Sequence, residues 1–330
     1  MAIKKEDYLY ISSLLRAREG RMLSREKAER MLDAPGFEEC AKMLADSGYE
    51  DMSQMNIKAI EDCLSDRRAA VFREMESLVP NTAILDLFRI KYDYHNAKVL
   101  IKSEAMNIDE STLLSDSGRV APDLIRKRFQ EDKLRDLPGL LGSAAEEARN
   151  QLSRSGNPQL SDFVLDKAYF AELKKLADML DSDFARGYAA ILADSTNLKS
   201  AVRILRMGKD IGYLKEALVP GGSVSEERIG SGISGEGIAS VFAGTSLSNA
   251  AALGADAVNG GTLTAFELAC DNAIERYLED AKLVPYGDAP VIAYLAATEN
   301  ELTAVRMILT GRLAGVSPNT IRERLRDLYA

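Results

Sequence analysis

The sequence predicts an all-α protein made of three similar, diverged helical units of about a hundred residues each. Three observations carry that prediction. Aromatic residues make up 6% of the chain and tryptophan is absent, while Ala, Leu, Glu, Lys, Arg and Met are abundant, a mixture that favours helix over sheet. Apolar residues recur at helical spacing, as in Phe184, Tyr188, Ile191, Leu198, Ala201 and Leu205, and in Leu87, Tyr94 and Ile101, so each run has one face to bury. The third observation is a pattern that occurs three times.

The pattern starts at an asparagine and ends on a base six residues later: NAKVLIK from Asn96 to Lys102, NLKSAVR from Asn197 to Arg203, and NELTAVR from Asn300 to Arg306. The copies lie 101 and 103 residues apart. Asp93 and Asp194 precede the first two asparagines by three positions; the third copy has Ala297 there, with Glu299 as the nearby substitute. A second signal has the same period. GRVAPDLI from Gly118 matches GSVSEERI from Gly222 at an offset of 104, and the apolar frame continues from Phe129, Leu134 and Leu137 to Ile233, Ile238 and Val241. GRMLSRE from Gly20 is a looser counterpart, followed by Phe37, Cys40 and Leu44 at helical spacing. A fixed period of this length marks repeated structural units, here residues 1–107, 108–212 and 213–330.

An asparagine inside a helix carries a local cost, because its carboxamide competes with the backbone. Three at one repeat position call for a reason. The first is structural: each Asn, helped by Asp93 or Asp194, ties adjacent helices together by satisfying backbone groups at a crossing. Direct contact with a partner is the alternative. The base six residues on lies about 240° away around the helix, so Lys102, Arg203 and Arg306 face different neighbours from the asparagines.

Several functions are disfavoured. IGSGISGEG at 229–237 has the G-x-G-x-x-G spacing in Gly230, Gly232 and Gly235, with Asp256 downstream, but no strand leads into it, as a dinucleotide site requires. At the 104-residue offset these glycines fall on Arg126, Arg128 and Glu131 of the amphipathic stretch IRKRFQEDKL. They predict a frayed or loop-like segment there, and no cofactor. A net charge of −9 argues against a general nucleic-acid binder. Cys40, Cys63 and Cys270 are far apart, which suggests neither a zinc site nor a disulfide framework. No leader peptide is recognisable, and the longest apolar run, VIAYLAA at 291–297, reads as a helix face and is too short to span a bilayer.

Nothing converges on catalysis. His95 is the single histidine, with no sequence context pairing it to a nucleophile. Asp178, Asp181 and Asp183, with Glu146 and Glu147 as a second cluster, are the best candidates for a magnesium site. Asp181 and Asp183 instead stand where a helix starting near Phe184 needs its cap. Glu299 and Glu301, and Lys174 with Lys175, read as solvated helical charges.

The Asp-x-x-Asn-x5-basic helices, the opening YLYISSLLRAREGRML, the segment GFEECAKMLADSGYED and the tail AYLAATENELTAVRMILTGRLAGVSPNTIRERL together resemble the C subunit of the A/V-type rotary ATPases and ATP synthases, the family that includes the d subunit of the eukaryotic vacuolar ATPase. The resemblance runs from about residue 7 onward. It departs at Ala297 and in the Gly- and Ser-rich stretch 220–261. It implies a funnel of three lobes with pseudo-threefold symmetry, peripheral on the cytoplasmic face of the membrane and touching it only through the proteolipid rotor ring. Such a protein receives the foot of the central shaft and, as part of the rotor, transmits torque between ATP chemistry and proton or sodium transport. It is not an enzyme and carries no cofactor or metal. Ala314, Gly315 and Val316 are candidate contacts with ring or shaft, because close packing at a helix end needs small side chains. The rival readings are a free-standing helical scaffold for soluble partners and a magnesium enzyme using Asp178, Asp181 and Asp183.

Overall fold

Helical periodicity and frequent capping residues turn most of the chain into helix. The computed structural model describes residues 3–235 and 237–330. In chain order the α-helices are α1 (Leu9–Glu19), α2 (Arg25–Asp33), α3 (Phe37–Lys42), α4 (Ile57–Leu78), α5 (Ala83–Met106), α6 (Pro122–Gln130), α7 (Leu141–Ser155), α8 (Pro158–Met179) and α9 (Asp183–Arg206). They continue as α10 (Ile211–Ala217), α11 (Glu226–Gly235), α12 (Ile238–Val241), α13 (Ser248–Val258), α14 (Leu263–Glu279), α15 (Asp288–Leu313) and α16 (Pro318–Arg322). No strand occurs among the described residues.

The ends of these helices are written in local chemistry. Ser24, Asn56, Ser182, Asp210 and Ser317 each accept a backbone N–H from the first turn of the helix they precede, which satisfies a donor that the helix itself leaves open. Thus Ser182, between Asp181 and Asp183, caps α9. Three long helices end in the same way. The N–H of Asn107, Gly208 and Gly315 bonds a carbonyl three residues back, and the next residue's N–H reaches five back. Their φ values are 52°, 65° and 74°, so each occupies the left-handed position of a Schellman motif.

The chain divides into two compact units, Met1–Ile84 with Thr262–Ala330, and Leu85–Gly261. In the first, α15 is the central helix, and every residue from Ala289 to Thr298 is buried. VIAYLAA is therefore not one face of a surface helix. Helices α1, α2, α3, α4 and α14 all pack against α15. Leu302, Val305, Ile308 and Leu309 of α15 join Met31, Leu32, Leu44, Met52, Ile60 and Leu64 in one core. Ion pairs fix the direction of packing: Arg68–Glu299 at 3.0 Å and Glu61–Arg306 at 2.7 Å run α4 antiparallel to α15.

The second unit repeats that relation. Lys98–Asp166 at 2.6 Å and Lys102–Asp162 at 2.7 Å set α5 antiparallel to α8. Helix α8 then returns as α9, and aromatic pairs Tyr94–Tyr169 and Phe88–Tyr188, each with centroids 5.8 Å apart, knit the three together. One expectation fails here. Gly230, Gly232 and Gly235 lie in helix α11, not in a loop. A Cβ on Gly232 would strike the side chain of Val241, so its absence lets α12 pack closely, and that contact together with buried Ile229 outweighs the poor helix propensity of glycine.

The core assignment is testable by truncation. Leu64→Ala removes a fully buried side chain and is expected to cost about 2–5 kcal/mol in urea unfolding. Leu283→Ala, at a position 85% exposed, should stay within about 0.5 kcal/mol of wild type.

Candidate functional site

A carboxamide offers one acceptor and a donor group, so it can bond both backbone groups of a single residue. That is how the repeated asparagines are used. On α5, buried Asn96 donates from Nδ2 to the Ser115 carbonyl and accepts the Ser115 N–H at Oδ1, both at 2.8 Å. On α9, buried Asn197 treats Val219 in the same way, at 2.9 and 2.8 Å. On α15, Asn300 donates to the Asp327 carbonyl at 2.9 Å, while its Oδ1 has no hydrogen-bond donor. Each asparagine thus holds a later segment of chain against a long helix, rather than one helix against another.

The acid three residues earlier continues the attachment. Asp93 is fully buried; its Oδ1 accepts the Arg119 and Val120 N–H groups at 2.8 and 3.0 Å, and its Oδ2 accepts the Arg119 guanidinium at 2.7 Å. Asp194 accepts the N–H groups of Ser223 and Val224 at 3.0 and 3.1 Å, with the Ser223 hydroxyl added. Glycine precedes each pair for a steric reason: a Cβ on Gly118 or Gly222 would collide with the carboxylate of Asp93 or Asp194.

In the third copy the acid comes from a different position. Glu301, one helical turn beyond Ala297, accepts the Leu23 N–H at 2.7 Å and the Tyr49 hydroxyl at 2.6 Å. Four residues on the same helix face, and one more methylene, bring its carboxylate to the loop that precedes α2. Glu299 is not the substitute, because it pairs with Arg68. Neither glutamate is a solvated charge: Glu301 is buried and Glu299 half-buried.

The bases do face other neighbours. Lys102 pairs with Asp162 and Arg306 with Glu61, and Arg203 is likewise engaged. Sequence reasoning missed Glu172, which accepts the Tyr94 hydroxyl at 2.8 Å and Arg119 Nη1 at 3.0 Å. Its only signal was an acid set between the apolar Phe170 and Leu173. The remaining candidates do not converge. His95 Nε2 lies 3.0 Å from the Leu113 carbonyl. Asp178 pairs with Lys174, and Asp183 with Arg186. Among the described residues no three His, Cys, Asp or Glu side chains gather as a metal site. Ala314, Gly315 and Val316 form an exposed turn, where the φ of 74° at Gly315 favours glycine without any partner.

A family model for the ATP synthase (C/AC39) subunit matches residues 11–324. The chain belongs to that family. It is similar to the C subunit of the V-type sodium ATPase of Enterococcus hirae, with 22% identity over 98% of this chain and 99% of the relative. The C subunit of the A-type ATP synthase of Methanocaldococcus jannaschii is 24% identical over 99% of this chain and 88% of its own length. That of Halorubrum lacusprofundi is 25% identical, with 96% of each chain covered. In this family member, among the described residues, no helix is long and apolar enough to cross a membrane.

The third attachment also differs in its titration. Glu275 of α14 is buried near Asn300, its Oε2 has no partner, and burial pushes its carboxyl from the ordinary 4.5 up to about 8. Arg326 pulls it down, and Asp271 and Asp327 push it up. The folded protein therefore holds an extra proton between those two values, so stability falls as pH rises through the window and levels off above it.

Two measurements check these contacts. Asn197→Ala leaves the buried Val219 N–H and C=O unpaired and is expected to cost about 1–3 kcal/mol; an equal loss in the exposed Asn150→Ala control would show that the contact contributes nothing. Melting temperatures of wild type and Glu275→Gln at pH 5, 7 and 9 should show wild type losing ground to the variant as pH rises. A constant difference would contradict the buried, protonated acid.

Proposed function

We propose that the protein is a non-catalytic central-rotor subunit of an A/V-type ATPase. It couples the central shaft to the membrane proteolipid ring, on the cytoplasmic face, during ATP-linked transport of protons or sodium. The observation that carries this reading is the end-to-end correspondence with the C/AC39 family: the match spans residues 11–324, and a relative of nearly equal length aligns over 98% of this chain. The site geometry supports it. A part that passes torque must resist shear between its helices and loops, and buried bonds from Asn96, Asn197 and Asn300 pin loops to the long helices. In this reading the repeats at 1–107, 108–212 and 213–330 are equivalent lobes of a pseudo-threefold funnel, and the turn Ala314–Gly315–Val316 contacts ring or shaft.

The test is affinity isolation of the tagged chain from its native membranes in mild detergent, with partners identified by mass. The expected result is co-recovery of a small, very hydrophobic proteolipid with the shaft proteins. Recovery of soluble partners alone, while the rotary complex is present and not captured, would contradict the proposal and favour a free-standing scaffold.

A further inference from the structure

We propose that a net-positive hollow in the first compact unit docks an acidic, carboxylate-bearing segment of another protein of the complex; this rests on the rotor reading above. The hollow, about 600 Å³, lies beside the loop between α1 and α2 and is lined by five basic side chains against the two acids Glu19 and Asp46. Some of that charge is answered internally. Arg16 Nη1 contacts both Glu19 carboxylate oxygens at 2.9 Å, and Lys282 lies 3.6 Å from Glu279. Arg21, Lys27 and Arg30 remain, against the single acid Asp46. Arg21 and Arg30 are exposed and have no carboxylate partner among the described residues, and the Lys27 ammonium rests on the neutral Ser47 hydroxyl at 2.8 Å.

An adjoining hollow of about 500 Å³ shares Arg21 and Asp46 but is electrically balanced, because its bases Arg18, Arg21 and Arg67 are matched in number by Glu74, Asp46 and Glu301, with Glu74 on Arg18 and Glu301 3.9 Å from Arg67. The unanswered positive charge is therefore local. On a chain of net charge −9 an acidic partner is repelled over most of the surface, so a confined basic hollow fixes both the place and the orientation of contact. Guanidinium groups suit the task, since each offers a planar fork to a carboxylate. The hollow is also preformed: Glu301 holds the Leu23 backbone, Ser47 holds Lys27, and the Lys282 ammonium lies 4.6 Å from the Tyr329 ring centre. Little ordering then remains to oppose binding.

The experiment uses the intact complex purified from membranes. Carbodiimide joins an ammonium group to a carboxylate in contact with it, and Lys27 and Lys282 are the reporters. Isopeptide bonds from either lysine to an Asp or Glu of a neighbouring protein in the complex are expected. The Arg21→Glu/Arg30→Glu double variant should lose about tenfold or more in affinity for the complex. Arg154→Glu, an exposed control on α7, should stay within about twofold. Cross-links from other lysines of this chain with none from Lys27 or Lys282, and a double variant that binds as wild type, would overturn the docking surface while leaving the rotor reading intact. Absence of the wild-type chain from the purified complex would overturn both.

Discussion

An asparagine carboxamide set inside a long helix, bonded to the backbone of one loop residue, is the contact on which the rest of the structure depends. Loop backbone that passes over a helix loses water and must find other partners. Asn96 and Asn197 supply two bonds each, to Ser115 and Val219. The next few residues then meet the carboxylates of Asp93 and Asp194, and a new helix starts directly afterwards, α6 at Pro122 and α11 at Glu226. One helix thereby sets where a later one begins. The asparagine's local cost within its own helix is offset by the order it imposes on the chain about twenty residues later.

Much of this was legible in the sequence, and the limits have physical causes. Helix class followed from composition and apolar period. The Asn and Asp positions stood out because a polar residue repeated at one place in an apolar frame has a reason to be there. The identity of the partners was not legible, since Ser115 and Val219 offer only backbone groups, which leave no trace in residue type. Glu301 was hidden for a different reason: a longer acid one turn on can replace a shorter one, so the substitute for the missing aspartate does not stand beside Ala297. The glycines of α11 misled because propensity counts the cost of a missing Cβ and not the approach of Val241 that the absence permits. Glu172 carries only the weak signature of an acid between apolar neighbours, and Arg119, its partner in the buried network, read only as one letter in a repeat.

Charge has two separate jobs in this molecule. Pairs such as Lys102–Asp162 and Glu61–Arg306 set long helices antiparallel in each compact unit, and because most are half-exposed they guide register more than they stabilise. Buried carboxylates instead fasten loops. The positive charge left around Arg21, Lys27 and Arg30 does neither; it stands over a loop whose backbone Glu301 holds at Leu23.

As the proposed rotor subunit, this chain would turn with the shaft. The direct measurement is ATP-driven rotation of a bead attached to an exposed position of this chain, in the detergent-solubilised complex with its soluble head immobilised. The bead is expected to rotate at the rate of one attached to the shaft. A bead that stays still while the shaft rotates would contradict it.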